Sequence, residues 1–328
     1  MKKILIIQTA FIGDVILATP LIENLMAKFP DAVLDILVRK GNEGLLEDHP
    51  KLNKVLIWDK SKNKYSHLFQ LLNEIRTNKY DAVLCVQRFF NAGLLTAFSD
   101  AKEKIGFDKN PFSFLFTRKV PHDLSKGKHE VDRNLELISH WIADAQRQPA
   151  LYPQRKHKDK VEDLQTLPYI CIAPASVWFT KQLPEEKWVE LINRLSNYQV
   201  YLLGGQSDTS LCDRIIQASH HKHIKALCGK LNLLESAALI AKAEMNFVND
   251  SAPLHLASST NAPVVAFFCS TIKEFGFYPL SDHAAIAEIN EVLDCRPCGL
   301  HGKSACPKGH FKCGKNIDIN QVLQKLHL

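Results

Sequence analysis

The fold follows from residues 3–20, KILIIQTAFIGDVILATP. The apolar run at 4–7 predicts a buried strand, and the next stretch places one carboxylate, Asp14, in an otherwise uncharged loop before a helix. Open α/β sheets bind their ligands beyond the carboxyl ends of the strands. Asp14 is therefore the first candidate catalytic residue, although an aspartate here can instead cap the helix.

The same alternation of apolar runs and amphipathic stretches continues along the chain. In the first half it predicts strands at 4–7, 33–38, 55–58 and 82–86, with helices at 17–28 and 68–78. In the second half it predicts strands at 169–174, 200–203, 245–248 and 264–268, with helices at 185–195, 211–218, 234–243 and 253–258. Such a rhythm indicates parallel sheets with right-handed crossovers.

A domain boundary is predicted where the rhythm fails, in the Lys-, Arg-, Gln- and Pro-rich stretch at 146–167, which is typical of a linker. We therefore expect an N-terminal domain at 1–155 and a C-terminal domain at 156–328. A length of 328 residues with 46% hydrophobic content is enough for two cores. A cleft between two such domains is the expected ligand site.

Composition narrows the class of protein. No apolar stretch is long enough to span a bilayer, and Gln8 and Asp14 interrupt the first apolar region too early for a secretion signal, so a cytoplasmic protein is expected. The net charge of +6 favours an anionic partner. The sequence contains no nucleic-acid-binding module. It also lacks the GxGxxG motif and the acidic residue that an NAD-binding dehydrogenase needs.

The richest polar segment of the second half is NDSAPLH, residues 249–255, directly after a predicted strand. Pro253 suits the first turn of a helix, so the backbone N–H groups of Ser251 and Ala252 are expected to point at a bound phosphate. His255 could donate to a phosphate or sugar oxygen, or could be an ordinary core histidine. Asp250 could bind sugar hydroxyls, or could cap the helix.

Two further segments follow predicted strands. Lys181 lies in a predicted loop and could neutralise a diphosphate, although a loop lysine is more often a solvated charge. Gly204 and Gly205 end the strand at 200–203, where glycines allow a nucleotide to approach the backbone but also form ordinary tight turns.

Taken in order, these segments resemble glycosyltransferase family 9, which contains the lipopolysaccharide heptosyltransferases. The resemblance covers almost the whole chain. It rests on GD at 13–14 with TPL at 19–21, HEVDRNL at 129–135, KQLPEEKW at 181–188, LGG at 203–205, NDSAPLHLA at 249–257 and FGFYP at 275–279.

The resemblance implies a GT-B fold, with two Rossmann-like domains, the acceptor on the first and the nucleotide-sugar on the second. It implies inverting transfer of a heptose or related sugar from an ADP-activated donor to the inner core of lipopolysaccharide. The matching positions imply Asp14 as general base, Lys181 and Ser176 as donor-phosphate contacts, Leu231 beside the adenine, and Gly204, Gly205, Asp250, Ser251, Ala252 and His255 as further donor-binding residues. If Lys181 and the helix terminus carry the phosphate charge, no metal cofactor is required.

The acceptor side is predicted from basic residues interleaved with phenylalanines. These are Arg88, Lys102, Lys104, Arg118, Lys119, Lys126 and Lys128 with Phe89, Phe90, Phe112, Phe114 and Phe116. The mixture suits an anionic glycolipid at a membrane surface, with a loop at 112–119 facing the acceptor or the membrane, and equally suits solvated charges over a core. The candidate acceptor-binding residues are Gly13, Arg88, Arg118 and Arg133.

Nine cysteines fall into two groups. Five lie singly in the chain, mostly in apolar runs, and are expected in the core: Cys85, Cys171, Cys212, Cys228 and Cys269. The other four, Cys295, Cys298, Cys306 and Cys313, crowd near the C-terminus. Only the first two have the spacing of a zinc-ligand pair, so the pattern favours reduced thiols or a disulfide over structural zinc.

The second function that the sequence leaves open is a non-catalytic protein of the same fold that binds a nucleotide-sugar or a glycolipid. An Asp14→Ala variant distinguishes the two, because in an enzyme it would keep donor binding while losing turnover.

Overall fold

The protein is described by a computed structural model that covers residues 1–61, 64–124 and 127–326. The chain separates into two compact units, Met1–Tyr152 (unit 1) and Pro153–Leu328 (unit 2). Each unit is a parallel six-stranded sheet with helices, so the predicted α/β class is confirmed. Lys126, one of the predicted acceptor-side cations, lies outside the described residues.

Unit 1 begins with a strand that occupies the middle of its sheet. The strands are β1 (Lys3–Gln8), β2 (Val33–Arg39), β3 (Lys54–Trp58), β4 (Ala82–Cys85), β5 (Glu103–Phe107) and β6 (Arg118–Val120). The helices are α1 (Ile12–Lys28), α2 (Lys64–Asn78), α3 (Phe90–Ala97) and α4 (Glu130–Glu136). The strand order is β3-β2-β1-β4-β5-β6, with every pair parallel.

Unit 2 repeats this plan. Its strands are β7 (Tyr169–Ala173), β8 (Gln199–Leu202), β9 (Ile224–Ala226), β10 (Met245–Asn249), β11 (Val264–Phe267) and β12 (Ala284–Ala287). Its helices are α5 (Arg155–Asp159), α6 (Glu185–Ile192), α7 (Thr209–Ala218), α8 (Leu233–Ile240), α9 (Ala252–Ser259), α10 (Lys312–Lys315) and α11 (Ile319–Leu326). The strand order β12-β11-β10-β7-β8-β9 is that of unit 1, because each sheet is 3-2-1-4-5-6 in its own strand count.

Each sheet is buried by its own apolar side chains. In unit 1 the core includes Leu5, Ile7 and Trp58. In unit 2 it includes Trp188, whose ring packs edge-on against Phe267 at 5.1 Å. The five singly placed cysteines are all buried, which confirms their assignment to the core.

The predicted start of α1 was wrong. The helix begins at Ile12 rather than Leu17, so Asp14 lies in its first turn and not in a loop. The physical reason is that the Asp14 carboxylate accepts a hydrogen bond of 3.1 Å from the backbone N–H of Phe11. An acidic side chain at this position satisfies a helix N–H and interacts favourably with the helix dipole.

Two other segments differ from prediction. The stretch at 146–167 is not an unstructured linker, because it contains α5 and a 3₁₀ turn at Glu162–Gln165, with Val161 fully buried. The stretch at 112–119 is not one loop either. It contains a 3₁₀ turn at Ser113–Leu115, and Arg118 and Lys119 belong to β6, which pairs with β5 through its backbone.

Four strands were not predicted: β5, β6, β9 and β12. β6 has the sequence RKV and β9 has IKA, which are too short and too charged to show a strand pattern. Their structure comes from hydrogen bonding to a neighbouring strand that is already in place, and the residues themselves carry little of that information.

Candidate functional site

The strand order puts a topological switch point in each sheet, where neighbouring strands lead to helices on opposite faces. In unit 1 this point lies between β1 and β4, and in unit 2 between β7 and β10. Loops at a switch point leave room for a ligand at the carboxyl edge of the sheet. The candidate residues Asp14, Lys181 and Asp250 all follow strands that flank these two points.

In unit 2 the two loops are joined by an ion pair. The Nζ atom of Lys181 lies 2.8 Å from Oδ2 of Asp250, with side chains only 16% and 7% exposed. Lys181 ends a 3₁₀ turn, Phe179–Lys181, that follows β7, and Asp250 directly follows β10. The sequence has no acidic residue within three positions of Lys181 on either side, so the ion pair was not visible along the chain. The partner comes from the adjacent strand.

The Asp250 carboxylate has a second donor that the sequence did not reveal. The hydroxyl of Thr271, which is buried, donates to Asp250 Oδ2 at 2.7 Å. The backbone N–H of Asp250 donates to the Phe267 carbonyl at 3.1 Å. The carboxylate is thus fixed from two sides, and it orients the Lys181 ammonium rather than turning toward solvent.

Thr180 anchors the turn that carries Lys181. Its backbone N–H donates to the Lys303 carbonyl at 3.1 Å, and its hydroxyl accepts from the Lys303 N–H at 2.8 Å. The Ser270 hydroxyl donates to the same oxygen at 3.0 Å. Thr180 is 1% exposed, so these bonds hold the turn in one position.

Asn249 ties the loop after β7 to β10. Its side-chain amide donates to the Pro174 carbonyl at 2.8 Å, and its side-chain oxygen accepts from the Leu183 N–H at 2.9 Å. The sequence shows Asn249 as a polar residue at the end of an apolar strand, within the segment 249–255 noted above, and the structure buries it fully. Thr271 gave no such signal, because it follows β11 and not one of the switch-point strands.

The predicted helix after β10 is confirmed. α9 begins at Ala252, with Ser251 extended at the N-cap and Pro253 in the first turn. Its positive end therefore lies at the carboxyl edge of the sheet, beside Asp250. His255 is the fourth residue of α9 and is buried, with 5% of its surface exposed. The combination of a helix N-terminus and an oriented ammonium can stabilise a bound diphosphate.

The other predicted donor residues lie along the same edge. Ser176, in the loop after β7, accepts through its carbonyl from the Gln182 side chain at 2.6 Å. Gly204 follows β8, and a Cβ there would lie 2.9 Å from the Cβ and Oδ2 atoms of Asp208. The neighbouring Gly205 uses its N–H on Asp208 at 2.8 Å. Leu231 lies just before Asn232, the residue that caps α8.

In unit 1, Asp14 and Gly13 lie in the first turn of α1, and both are half-buried. The capping interpretation of Asp14 is confirmed by its bond to the Phe11 N–H, and this bond leaves the side chain partly open to solvent. The loops after β1 and β4 are joined by a hydrogen bond of 2.8 Å from the Thr9 hydroxyl to the Gln87 side chain.

The predicted acceptor arginines differ in environment. Arg118 and Arg133 line one cavity of about 450 Å³ beside β6 and α4, together with Lys119 and Lys128. Arg133 is 1% exposed, and its guanidinium pairs with Glu130 at 2.6 Å. Arg88 does not line this cavity but lies close to His122, whose pKa is lowered to about 4 by burial and then by the charges of Arg88 and Arg133.

The four C-terminal cysteines line a second cavity of about 230 Å³, together with His310. All four are free thiols. Burial, followed by the neighbouring thiols, raises the pKa of Cys313 to about 11. Within the described ranges, no group of three or more His, Cys, Asp or Glu side chains is placed to hold a metal ion.

Two doubly wound units of this topology are the architecture of the GT-B fold. The chain belongs to glycosyltransferase family 9 (heptosyltransferase), whose family model matches residues 68–304. This membership confirms the predicted family and the predicted enzyme class.

Individual relatives and solved structures support this family membership. Lipopolysaccharide heptosyltransferase 3 of Escherichia coli K12 is 29% identical over 80% of this chain and 81% of its own length. A family 9 glycosyltransferase from Veillonella parvula superposes with a TM-score of 0.85 at 21% identity, over 99% of this chain and 96% of its own. The ADP-heptose lipopolysaccharide heptosyltransferase II of E. coli gives a TM-score of 0.80 at 22% identity, over 100% and 98%. These superpositions confirm the GT-B fold.

Proposed function

We propose that this glycosyltransferase moves a heptose from ADP-heptose to the inner core of lipopolysaccharide, inverting the anomeric centre. The support is the family membership, together with relatives and solved structures whose names specify lipopolysaccharide heptosyltransferases and ADP-heptose. The donor is the nucleotide-sugar, the acceptor is an anionic glycolipid, and the reaction takes place in the cytoplasm.

The observation that carries the proposal is the Lys181–Asp250 ion pair beside the N-terminus of α9. A departing ADP concentrates negative charge on its terminal phosphate, and Lys181 with the backbone N–H groups at Ser251 and Ala252 offsets that charge. Asp250 holds the ammonium through one oxygen that also accepts from Thr271. Because these groups are already oriented, little reorganisation is needed when the leaving group forms.

Asp14 is the general base of the proposed reaction. The acceptor hydroxyl oxygen attacks the anomeric carbon, the bond from that carbon to the phosphate oxygen breaks, and the hydroxyl proton passes to the Asp14 carboxylate. The helix N-terminus holds it in place through the Phe11 N–H.

The remaining donor contacts have supporting roles. Gly204 and Gly205 let the nucleotide approach the backbone, Leu231 borders the adenine, and Ser176 and His255 donate to phosphate or sugar oxygens. No metal is needed in this scheme, since Lys181 and the α9 terminus supply the positive charge.

On the acceptor side, Arg88 and Arg118 bind the anionic groups of the glycolipid, and Gly13 leaves room for its sugar. The buried pair of Arg133 with Glu130 instead positions the wall of the cavity that Arg118 lines.

A donor panel tests the proposal. A true donor binds the folded state and raises its unfolding temperature by mass action, so ADP-heptose should stabilise the protein more than other nucleotide-sugars do. Incubation with ADP-heptose and a heptose-deficient lipopolysaccharide should then increase the acceptor mass by one heptose. No mass increase with any donor, despite donor binding, would favour the non-catalytic alternative. The Asp14→Ala variant should bind ADP-heptose normally and transfer nothing.

A further inference from the structure

Unit 1 exposes a set of large apolar side chains at one place. Phe89, Phe90 and Phe114 are 63%, 54% and 72% exposed. Together with the partly exposed Phe98, Phe112 and Leu115 they are called the aromatic patch below. Scattered exposed apolar residues are normal on soluble proteins, but a contiguous group marks an interaction surface.

Ring contacts join three members of the patch. Phe112 contacts Phe90 edge-on at 4.9 Å and Phe98 at 6.0 Å. Phe114 and Leu115 belong to the 3₁₀ turn that follows Phe112 and packs against α3. The patch therefore joins the start of α3 to the turn after β5.

Asn110 fixes the two segments to each other. Its buried side-chain amide donates to the carbonyls of Gln87 and Phe89 at 3.0 and 3.2 Å, and its side-chain oxygen accepts from the Phe112 N–H at 2.9 Å. A surface held by a buried hydrogen-bonded residue is preorganised, so its aromatic side chains stay exposed in a defined arrangement.

The two sequence segments that carry the patch have one dominant sign of charge. The segments 86–98 and 107–119 contain four cations, Arg88, Lys109, Arg118 and Lys119, against a single anion, Asp108. Aromatic side chains surrounded by Lys and Arg fit the headgroup region of an anionic bilayer, where the rings enter the interface and the cations meet lipid phosphates.

Part of the aromatic patch lies at the same edge of the unit 1 sheet as Asp14. Phe89 and Phe90 follow β4 and Phe112 follows β5, so they lie at the carboxyl edge of the sheet, as Asp14 does after β1. The Thr9–Gln87 hydrogen bond joins the loops after β1 and β4. A bilayer that met this edge would bring a membrane-anchored acceptor to the same edge as the base.

We propose that the aromatic patch is a docking surface for an anionic phospholipid bilayer and delivers the lipid-anchored acceptor to unit 1. This inference rests on the proposed function for the identity of the acceptor, but the docking itself does not. In the described part of the chain no helix is long and apolar enough to cross a membrane, so docking here means contact with the surface.

Vesicle sedimentation tests the docking directly. The full chain should sediment with vesicles of equal parts phosphatidylglycerol and phosphatidylcholine, and much less with phosphatidylcholine alone or in high salt. The Phe89→Ser/Phe90→Ser/Phe114→Ser variant should lose ~10-fold or more of this partitioning. Lys109→Gln should lose a smaller part. The control is Leu167→Ser/Val292→Ser, which removes exposed apolar side chains from unit 2 and should sediment as the wild type does.

Equal sedimentation of the patch variant and the wild type would overturn the proposal, as would a wild type that binds no vesicle. A patch that instead held a second copy of the chain would show a concentration-dependent mass by light scattering that the patch variant abolishes, with no vesicle binding. That result would also overturn it. Circular dichroism should show that both variants are folded, as expected for exposed positions.

A transfer assay separates this inference from the proposed function. With a lipopolysaccharide acceptor embedded in vesicles, the patch variant should lose ~10-fold in kcat/KM, because less enzyme is at the surface. With a deacylated, water-soluble acceptor the loss should be much smaller, and a loss as large as with the embedded acceptor would contradict docking. Absence of heptose transfer by the wild type would reject the proposed function and leave the sedimentation result standing.

Discussion

The switch points of the two sheets have the same topology and hold charge in opposite ways. In unit 1 the carboxylate of Asp14 is half-buried and accepts from the N–H of Phe11, the N-cap residue of α1. In unit 2 the ammonium of Lys181 is mostly buried and rests on Asp250, which Thr271 also holds. Strand order thus determines where the charged groups lie. The residues in the loops determine how deeply each group is buried and which groups bind it.

The two environments suit two different catalytic roles, those of a general base and of a cation that stabilises the leaving group. A base must change its protonation state during the reaction, so a partly solvated carboxylate suits it. A group that stabilises a leaving phosphate needs only to stay charged and in position, so a cation held by a buried network suits it. The comparison would fail if the two groups proved interchangeable in their effects on binding and turnover.

The largest effect should come from Asp14→Asn. The amide still accepts from the Phe11 N–H, so the fold is kept, but it cannot take the acceptor proton, and kcat should fall ~10³-fold. Steady-state kinetics with saturating donor measures this loss, and calorimetry should give an unchanged donor Kd. A parallel loss of donor affinity would place Asp14 in donor binding and break the contrast between the units.

Lys181→Met should lower kcat ~10²-fold and also weaken donor binding, because the phosphate loses its cation. It leaves the Asp250 carboxylate buried beside Thr271 without its ion-pair partner, so the free energy of unfolding should fall by about 2 kcal/mol. Adding Asp250→Asn should recover part of that stability without recovering activity. Urea denaturation and kinetics on the wild type and these two variants check this, and recovered activity in the double variant would mean that Lys181 has no role of its own.

The site was only partly predictable from the sequence. Asp14, Lys181 and the α9 terminus were identified because they follow strands with clear apolar patterns. The Lys181–Asp250 pair was missed because the two residues are distant in the chain and meet only through the pairing of β7 with β10. Thr271 and Thr180 were missed because a buried hydroxyl contributes through its particular partners, which no periodicity records.

More of the fold than of the candidate site could be predicted from the sequence. The apolar runs of β1, β7 and β11 predicted their own strands, since a strand buried on both faces needs a continuous apolar sequence. The edge strands β6 and β9 did not, since a solvent-facing edge tolerates charge. The start of α1 depended on one side-chain hydrogen bond at Asp14, and helix ends determined in this way are the least visible in sequence patterns.

Unit 1 also contains a buried histidine whose titration should make the stability of the protein depend on pH. In unit 1 burial lowers the pKa of His49 to about 4, and its Nδ1 accepts from the Lys51 N–H at 3.2 Å. Because the unfolded histidine titrates near pH 6.5, the unfolded state binds more protons between the two values, and acid destabilises the fold. His49 should account for about 2 kcal/mol of stability lost between pH 7 and pH 5. In urea denaturation, His49→Gln should lose correspondingly less over this range, and an identical loss would contradict the assignment.

A smaller effect should separate the paired glycines of unit 2. Gly204→Ala places a Cβ at 2.9 Å from Asp208, so the turn after β8 must shift, at a cost of about 1–2 kcal/mol. Gly205→Ala is the matched control, because its nearest atom would be at an ordinary 3.7 Å. Thermal unfolding compares the two variants, and only Gly204→Ala should lower the unfolding temperature. Equal unfolding temperatures for the two variants would show that the turn after β8 is not tightly packed.

The smallest expected effect is that of a chelator, which should leave the rate of transfer unchanged. If Lys181 and the α9 terminus carry the charge of the departing diphosphate, then no divalent cation takes part, and EDTA removes nothing that the reaction uses. The assay needs enzyme and substrates treated with EDTA and then a return of Mg²⁺, with Lys181→Met run alongside. A rate that falls in EDTA and recovers with Mg²⁺ would show that a cation supplies the charge assigned to unit 2. A gain by Lys181→Met on adding Mg²⁺, with none in the wild type, would show that the ammonium occupies the place a metal ion could take.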